Sequence, residues 1–167
     1  MSVESLKHTL DQTAIQEDFF EGCALIGIAS AEQGYRLCWL LNNYFNIDFL
    51  RDVDSTKSFT VKPGKRNAAG ARVRSSNAAM TEIEYFFAVY TYCLPGNSDK
   101  YHLYKLKDRD ETLLPEARQL DYLWMLETPD AYNDAMNIAQ KLRDIPEIQM
   151  ARIMVPDELE NLASLLL

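Results

Sequence analysis

Residues 19–29 (FFEGCALIGIA) are apolar at odd and even positions alike and too few for a buried helix, so they predict a strand in the middle of a sheet, covered on both faces. Before them, Val3, Leu6 and Leu10 recur at helical spacing and predict a short N-terminal helix. After them, Ser30 followed three residues later by Gln33 has the spacing of a capping box and predicts a helix to about Asn46. Its apolar stripe is Leu37, Cys38, Leu41 and Phe45, widened by Trp39 and Leu40, and Asn42, Asn43 and Asn46 favour its end. Residues 47–51 read as a short strand. Periodicity then disappears over residues 54–79, where Pro63, Gly64, Asn67, Gly70, Ser75, Ser76 and Asn77 predict a long irregular loop, interrupted at most by a short strand at 59–61.

Strict alternation returns at residues 80–94, with Ile83, Tyr85, Phe87 and Val89 on one side and Phe86, Ala88, Tyr90 and Tyr92 on the other. The turn Pro95-Gly96-Asn97-Ser98 sends residues 101–107 back as the hairpin partner. Residues 120–126 predict a further strand buried on both sides. Thr128-Pro129-Asp130 predicts a helix start with Thr128 as the cap, and Ala131, Ala135, Ile138, Ala139 and Leu142 form its inward stripe. A strand at 147–155 and a terminal helix opening at Asp157 complete the order. The expected fold is one α+β domain over residues 1–167. It is a two-layer sandwich with a mostly antiparallel sheet of five or six strands and helices on one face, ferredoxin-like or related in topology.

Composition supports a packed core, with 47% hydrophobic and 25% charged residues. Three cysteines, Cys23, Cys38 and Cys93, stand at wide spacings inside apolar runs, as buried free thiols in a reducing compartment do. The first twelve residues lack a basic start with an apolar core behind it, and the uncharged window 85–98 is shorter than the roughly 20 residues a membrane helix needs. A cytoplasmic protein with no membrane contact is therefore expected. Net charge is −8, yet Lys57, Lys62, Lys65, Arg66, Arg72 and Arg74 fall in an acid-free stretch at 55–81. Taking those +6 from −8 leaves −14 on the remainder, a poor general surface for nucleic acid.

Candidate chemistry is sparse. His8 and His102 have no acid or cysteine at ligand spacing, so neither a metal nor a cofactor is expected. No nucleophile elbow occurs, and Gly22, Gly27 and Gly34 build no phosphate-binding loop. Glu116 and Asp121 lie five residues apart, which turns them to different sides of either a strand or a helix and argues against an acid/base pair. The hairpin aromatics Phe86, Tyr90, Tyr92, Tyr101 and Tyr104 favour a core or dimer face over base stacking.

Residues 114–122, Leu114-Pro115-Glu116-Ala117-Arg118-Gln119-Leu120-Asp121-Tyr122, resemble the signature of the bacterial IPExxxVDY family, with leucine at Leu114 and Leu120 in place of isoleucine and valine. Pro115, Glu116, Asp121 and Tyr122 match as they stand, and residues 34–47 (GYRLCWLLNNYFNI) are similar to the family's N-terminal helix. The resemblance implies a bacterial protein. It supplies no catalytic residues, because that family has no assigned activity, and it leaves the four matching residues in a structural role, with Glu116 and Asp121 available to backbone amides or a basic partner. Two functional expectations follow from the residues. The first is a non-enzymatic interaction or regulatory module, homodimeric through the aromatic sheet or its edge. The second is a domain binding a small anion or metabolite through the basic segment, with Lys62, Lys65, Arg66, Arg72 and Arg74 as its contacts.

Overall fold

The computed structural model describes residues 19–61 and 82–165. The runs of alternating apolar side chains pair into six strands: β1 (Cys23–Ala29), β2 (Leu50–Val61), β3 (Ile83–Cys93), β4 (Lys100–Lys105), β7 (Tyr122–Glu127) and β8 (Met150–Met154). A two-stranded hairpin of β5 (Lys107–Asp108) and β6 (Glu111–Thr112) stands apart from them. The large sheet has the order β2-β3-β4-β7-β1-β8, and every neighbouring pair is antiparallel.

Two helices, α1 (Gly34–Phe45) and α2 (Ala131–Leu142), make the long connections. The second joins β7 to β8 with β1 inserted between them, the split βαβ arrangement of ferredoxin-like folds. The first carries the chain from β1 across to β2 at the far edge, because the β2-β3-β4 meander is added beside β7. The fold is therefore α+β, with a six-stranded antiparallel sheet.

Alternation along the central strands fills two cores. Ala24, Ile26, Ile28, Leu103, Tyr122, Trp124 and Leu126 meet Leu37, Cys38 and Leu41 of α1 and Ala131, Ala135, Ala139 and Leu142 of α2. Trp124 is its hub, with the rings of Phe45, Phe49 and Tyr101 edge-on at 5.2 to 5.6 Å. The opposite residues, among them Leu25, Tyr85, Phe87, Val89, Tyr104, Leu123 and Met125, are covered by the irregular segments at 106–120 and 156–165 and by Phe20. The helices do lie on one face, but the other face is also sealed. Of the sheet aromatics Tyr85, Tyr90 and Tyr104 are buried, Tyr92 and Tyr101 half-buried, and Phe86 is 52% exposed.

Several local expectations are corrected. Phe19 and Phe20 belong to a helical turn, and the strand begins only at Cys23. The capping box does not form, because Ser30 Oγ donates to the Glu147 carbonyl at 2.8 Å and the helix is capped by Gln33 without a side-chain bond. Thr128 is not the cap of α2 either. Asp130 takes that position, since the chain needs three residues to turn out of β7, and Thr128 Oγ1 bonds Asp134 at 2.6 Å instead.

The irregular loop expected from 54 is ordered strand as far as Val61, and the rest of it, with Lys62, Lys65, Arg66, Arg72 and Arg74, lies outside the described residues, as does the expected N-terminal helix. The terminal helix is replaced by two 3-10 turns, Pro156–Glu158 and Leu162–Leu165. Asn46 ends α1 as expected, in a left-handed conformation (φ 54°), and Asn42 clasps the backbone of Phe49 through both its amide atoms.

Candidate functional site

The strand ends Ala29, Lys105 and Tyr122 lie at one end of the sheet, since β1 and β4 run opposite to β7. There the turn 30–33, which carries the chain from β1 into α1, faces Lys105 and Lys107 across an open pocket of about 160 Å3. Asp121 and Tyr122 complete its lining. Asp121 organises the site. Its Oδ2 accepts the Ser30 amide at 2.9 Å, its Oδ1 holds the Lys107 ammonium at 2.8 Å, and its backbone joins β1 and the 106 turn. The Tyr122 hydroxyl donates to the Glu32 carbonyl, and burial pushes that phenol well above its ordinary value, so it stays a neutral donor. The Glu32 carboxylate is drawn outward by Arg36 at 3.8 Å.

The motif residues are thus tied into the fold. Pro115 opens the 3-10 turn Pro115–Ala117, and Glu116 accepts both the backbone amide and the side-chain amide of Asn161 at 2.9 Å each, fastening the C-terminal segment. Burial alone would raise the Glu116 carboxyl, but these hydrogen bonds outweigh it and hold the group below its ordinary value. Neither a family model, nor a curated protein, nor a solved structure matches this chain.

A second polar cluster lies on the opposite face and at the other end of the sheet. Register places Cys93, Lys100, Glu127 and Cys23 in one row across β3, β4, β7 and β1. Below that row His102, only 4% exposed, has Nε2 at 2.8 Å from Glu127 Oε1. Its Nδ1 has no partner among the described residues. Burial lowers the imidazole against the opposing pull of Glu127, so the ring is neutral at pH 7. Cys23 faces Glu127, and burial together with that carboxylate pushes its thiol up to about 11, the reverse of an activated nucleophile. Among the described residues no three His, Cys, Asp or Glu side chains are placed to hold a metal ion.

All three cysteines are free. Cys38 is buried and its thiol pushed up to about 12 by burial, but Cys93 is exposed at the end of β3, against the expectation of a core residue. Of the basic segment, only Lys57 is described. It sits part-buried on β2, where desolvation lowers its ammonium.

The third feature is a surface. On α1, Tyr35 is 74% and Trp39 56% exposed, with the Arg36 guanidinium stacked 5.3 Å from the Trp39 ring. Residue spacing puts Tyr35 and Trp39 one turn apart, turned away from the buried Leu37, Cys38 and Leu41. Sequence reasoning assigned Trp39 to the apolar stripe and passed over Lys105 and Lys107. The signal for the lysines was present, since two cations two residues apart on a strand share one face.

Proposed function

We propose that this protein is a non-enzymatic interaction module that works as a homodimer, with the outward side of α1 as its interface. The observation that carries this reading is the trio Tyr35, Arg36 and Trp39, large side chains held in solvent on a rigid helix. Trp, Tyr and Arg are the residue types that dominate binding energy at protein interfaces. A two-fold interface requires each residue to meet its counterpart reciprocally. Antiparallel α1 helices satisfy this. Arg36 of one copy reaches Trp39 of the other, and Glu32, beside Arg36 in sequence and space, provides the matching acid.

The sheet edges are less suited to pairing. Four residues of β2, 53–56, bulge opposite a single residue of β3, pinned by the Asp52 carboxylate on Ser55, and such bulges turn an edge away from strand addition. The opposite edge strand, β8, is only five residues long. The non-enzymatic reading is supported by a sealed imidazole, an unactivated thiol and carboxylates spent on backbone amides. Three unpaired thiols, one of them exposed, support a reducing compartment and hence the cytoplasm. No helix of the described residues is long and apolar enough to cross a membrane. The resemblance to the IPExxxVDY family belongs to the same proposal, its matching residues serving the fold.

Light scattering at high micromolar concentration tests the proposal. The expected mass is twice 19.2 kDa, falling to the single-chain value in Trp39→Ala with unchanged circular dichroism. A monomer at every concentration would remove it.

A further inference from the structure

We propose that the pocket between the 30–33 turn and the lysines of β4 and β5 is a binding site for a small oxyanion, with inorganic phosphate as its simplest occupant. The site adjoins the proposed dimer face, with which it shares Glu32, and it uses no residue of the basic segment at 57–74. Its volume of about 160 Å3 is below the range of roughly 300–1,000 Å3 in which drug-sized ligands and cofactors sit, so the fit is to a phosphate or a short carboxylate.

Charge sets the sign of the ligand. The lining carries Lys105 and Lys107 against Glu32 and Asp121, and pairing of Glu32 by Arg36 and of Asp121 by Lys107 leaves Lys105 as the unmatched charge. Both acids are already engaged: Asp121 by the Ser30 amide and Lys107, Glu32 by Arg36. The donors are not. Lys105 makes no hydrogen bond or ion pair within 4 Å among the described residues, and Lys107, fixed by one bond to Asp121, keeps two of the three N–H groups an ammonium carries.

Position also matters. Lys107 is held in place by a residue that simultaneously braces the 30–33 turn, so one ammonium is pre-oriented before any ligand arrives. Ser30 is buried and its hydroxyl is committed to Glu147, which keeps the turn rigid behind the pocket. A phosphate seated between the two lysines would receive charge-assisted hydrogen bonds from both, the stronger class of such bonds.

An NMR titration of the 15N-labelled chain with inorganic phosphate, at constant ionic strength set by sodium chloride, reads this out. Saturable shifts are expected at the amides of residues 30–33 and 105–107, with affinity about tenfold weaker in Lys105→Ala. Lys105 makes no hydrogen bond or ion pair among the described residues and otherwise only sets its charge near Asp108, so that variant is expected to keep the fold; Lys107→Ala releases Asp121 and is the less clean of the two. Sulfate should compete with phosphate. Shifts that never saturate, shifts confined to the basic segment, or an affinity unchanged by Lys105→Ala would each overturn the proposal.

Discussion

His102 shows how one side chain acquires a pH dependence from its surroundings. The residue stands on β4, between β3 and β7 in the sheet, and its ring meets Glu127 on β7, feels the charges of Lys100 on its own strand and Asp52 on β2, and lies 6.4 Å from the Tyr104 ring. Burial dominates these influences, so the folded-state value is lowered from 6.5. A base whose affinity for protons is lower when folded binds more protons unfolded. The neutral form's stabilisation is therefore intact above the unfolded value and is lost as pH falls from there towards the folded one. Urea denaturation should show stability declining below about pH 6.5, and His102→Gln should remove that component while leaving the loss at lower pH that comes from Glu116 and Asp108, whose carboxyls are held below their ordinary values. A wild-type profile that parallels the variant's at every pH would contradict the assignment.

At this scale the sequence was legible only in part. That Glu116 and Asp121 could bond amides was readable from their types, and each does so. The pairing of His102 with Glu127 was not. It depends on the β4–β7 register across an intervening hairpin and 3-10 turn, which no local pattern encodes.

Elements follow alternation wherever both sides of a strand, or one side of a helix, are buried. The central strands β1, β3, β4 and β7 were readable for that reason, and both helices were located by their stripes. Misses came at the ends and at the edge. The expected strand at 59–61 is present, but the polar residues 54–58 also form strand and join it to 50–53, because a four-residue bulge at the edge breaks the alternation that would have announced them. Ser30 looked like a helix cap, but its hydroxyl is taken by a carbonyl 117 residues away, which no nearby spacing announces.

Gly27 illustrates an element held by close approach. A Cβ there would stand 2.5 Å from Leu120 Cδ1 and 3.1 Å from Met154 Sδ, both in the sealed second core. Leu120 is fully buried and has little freedom to retreat. Gly27→Ala should cost about 1–3 kcal/mol, the usual range for overpacking, seen as a lower urea midpoint with an unchanged slope. An unshifted midpoint would show that β1 and the 3-10 segment have more room between them than the packing implies.

For the molecule as a whole, the described residues bury the central strands of the sheet on both faces and leave the outward side of α1 and the pocket beside the 30–33 turn open to solvent. The partly covered sheet is the reason the proposed dimer face lies on α1 rather than on the sheet aromatics that the alternation of tyrosines and phenylalanines suggested. Burial took Tyr85, Tyr90 and Tyr104 of the sheet, while Tyr35 and Trp39 on α1 stand in solvent. The chain carries two tryptophans, and they report on opposite environments: Trp124 is fully buried in the core and Trp39 stands on the proposed interface. Acrylamide quenching of tryptophan fluorescence across protein concentration therefore tests the dimer most directly. The account predicts that Trp39 is quenched freely at nanomolar concentration and becomes shielded as the protein reaches high micromolar, while Trp124 is protected throughout. Quenching of Trp39 that stays the same over that whole range would contradict it.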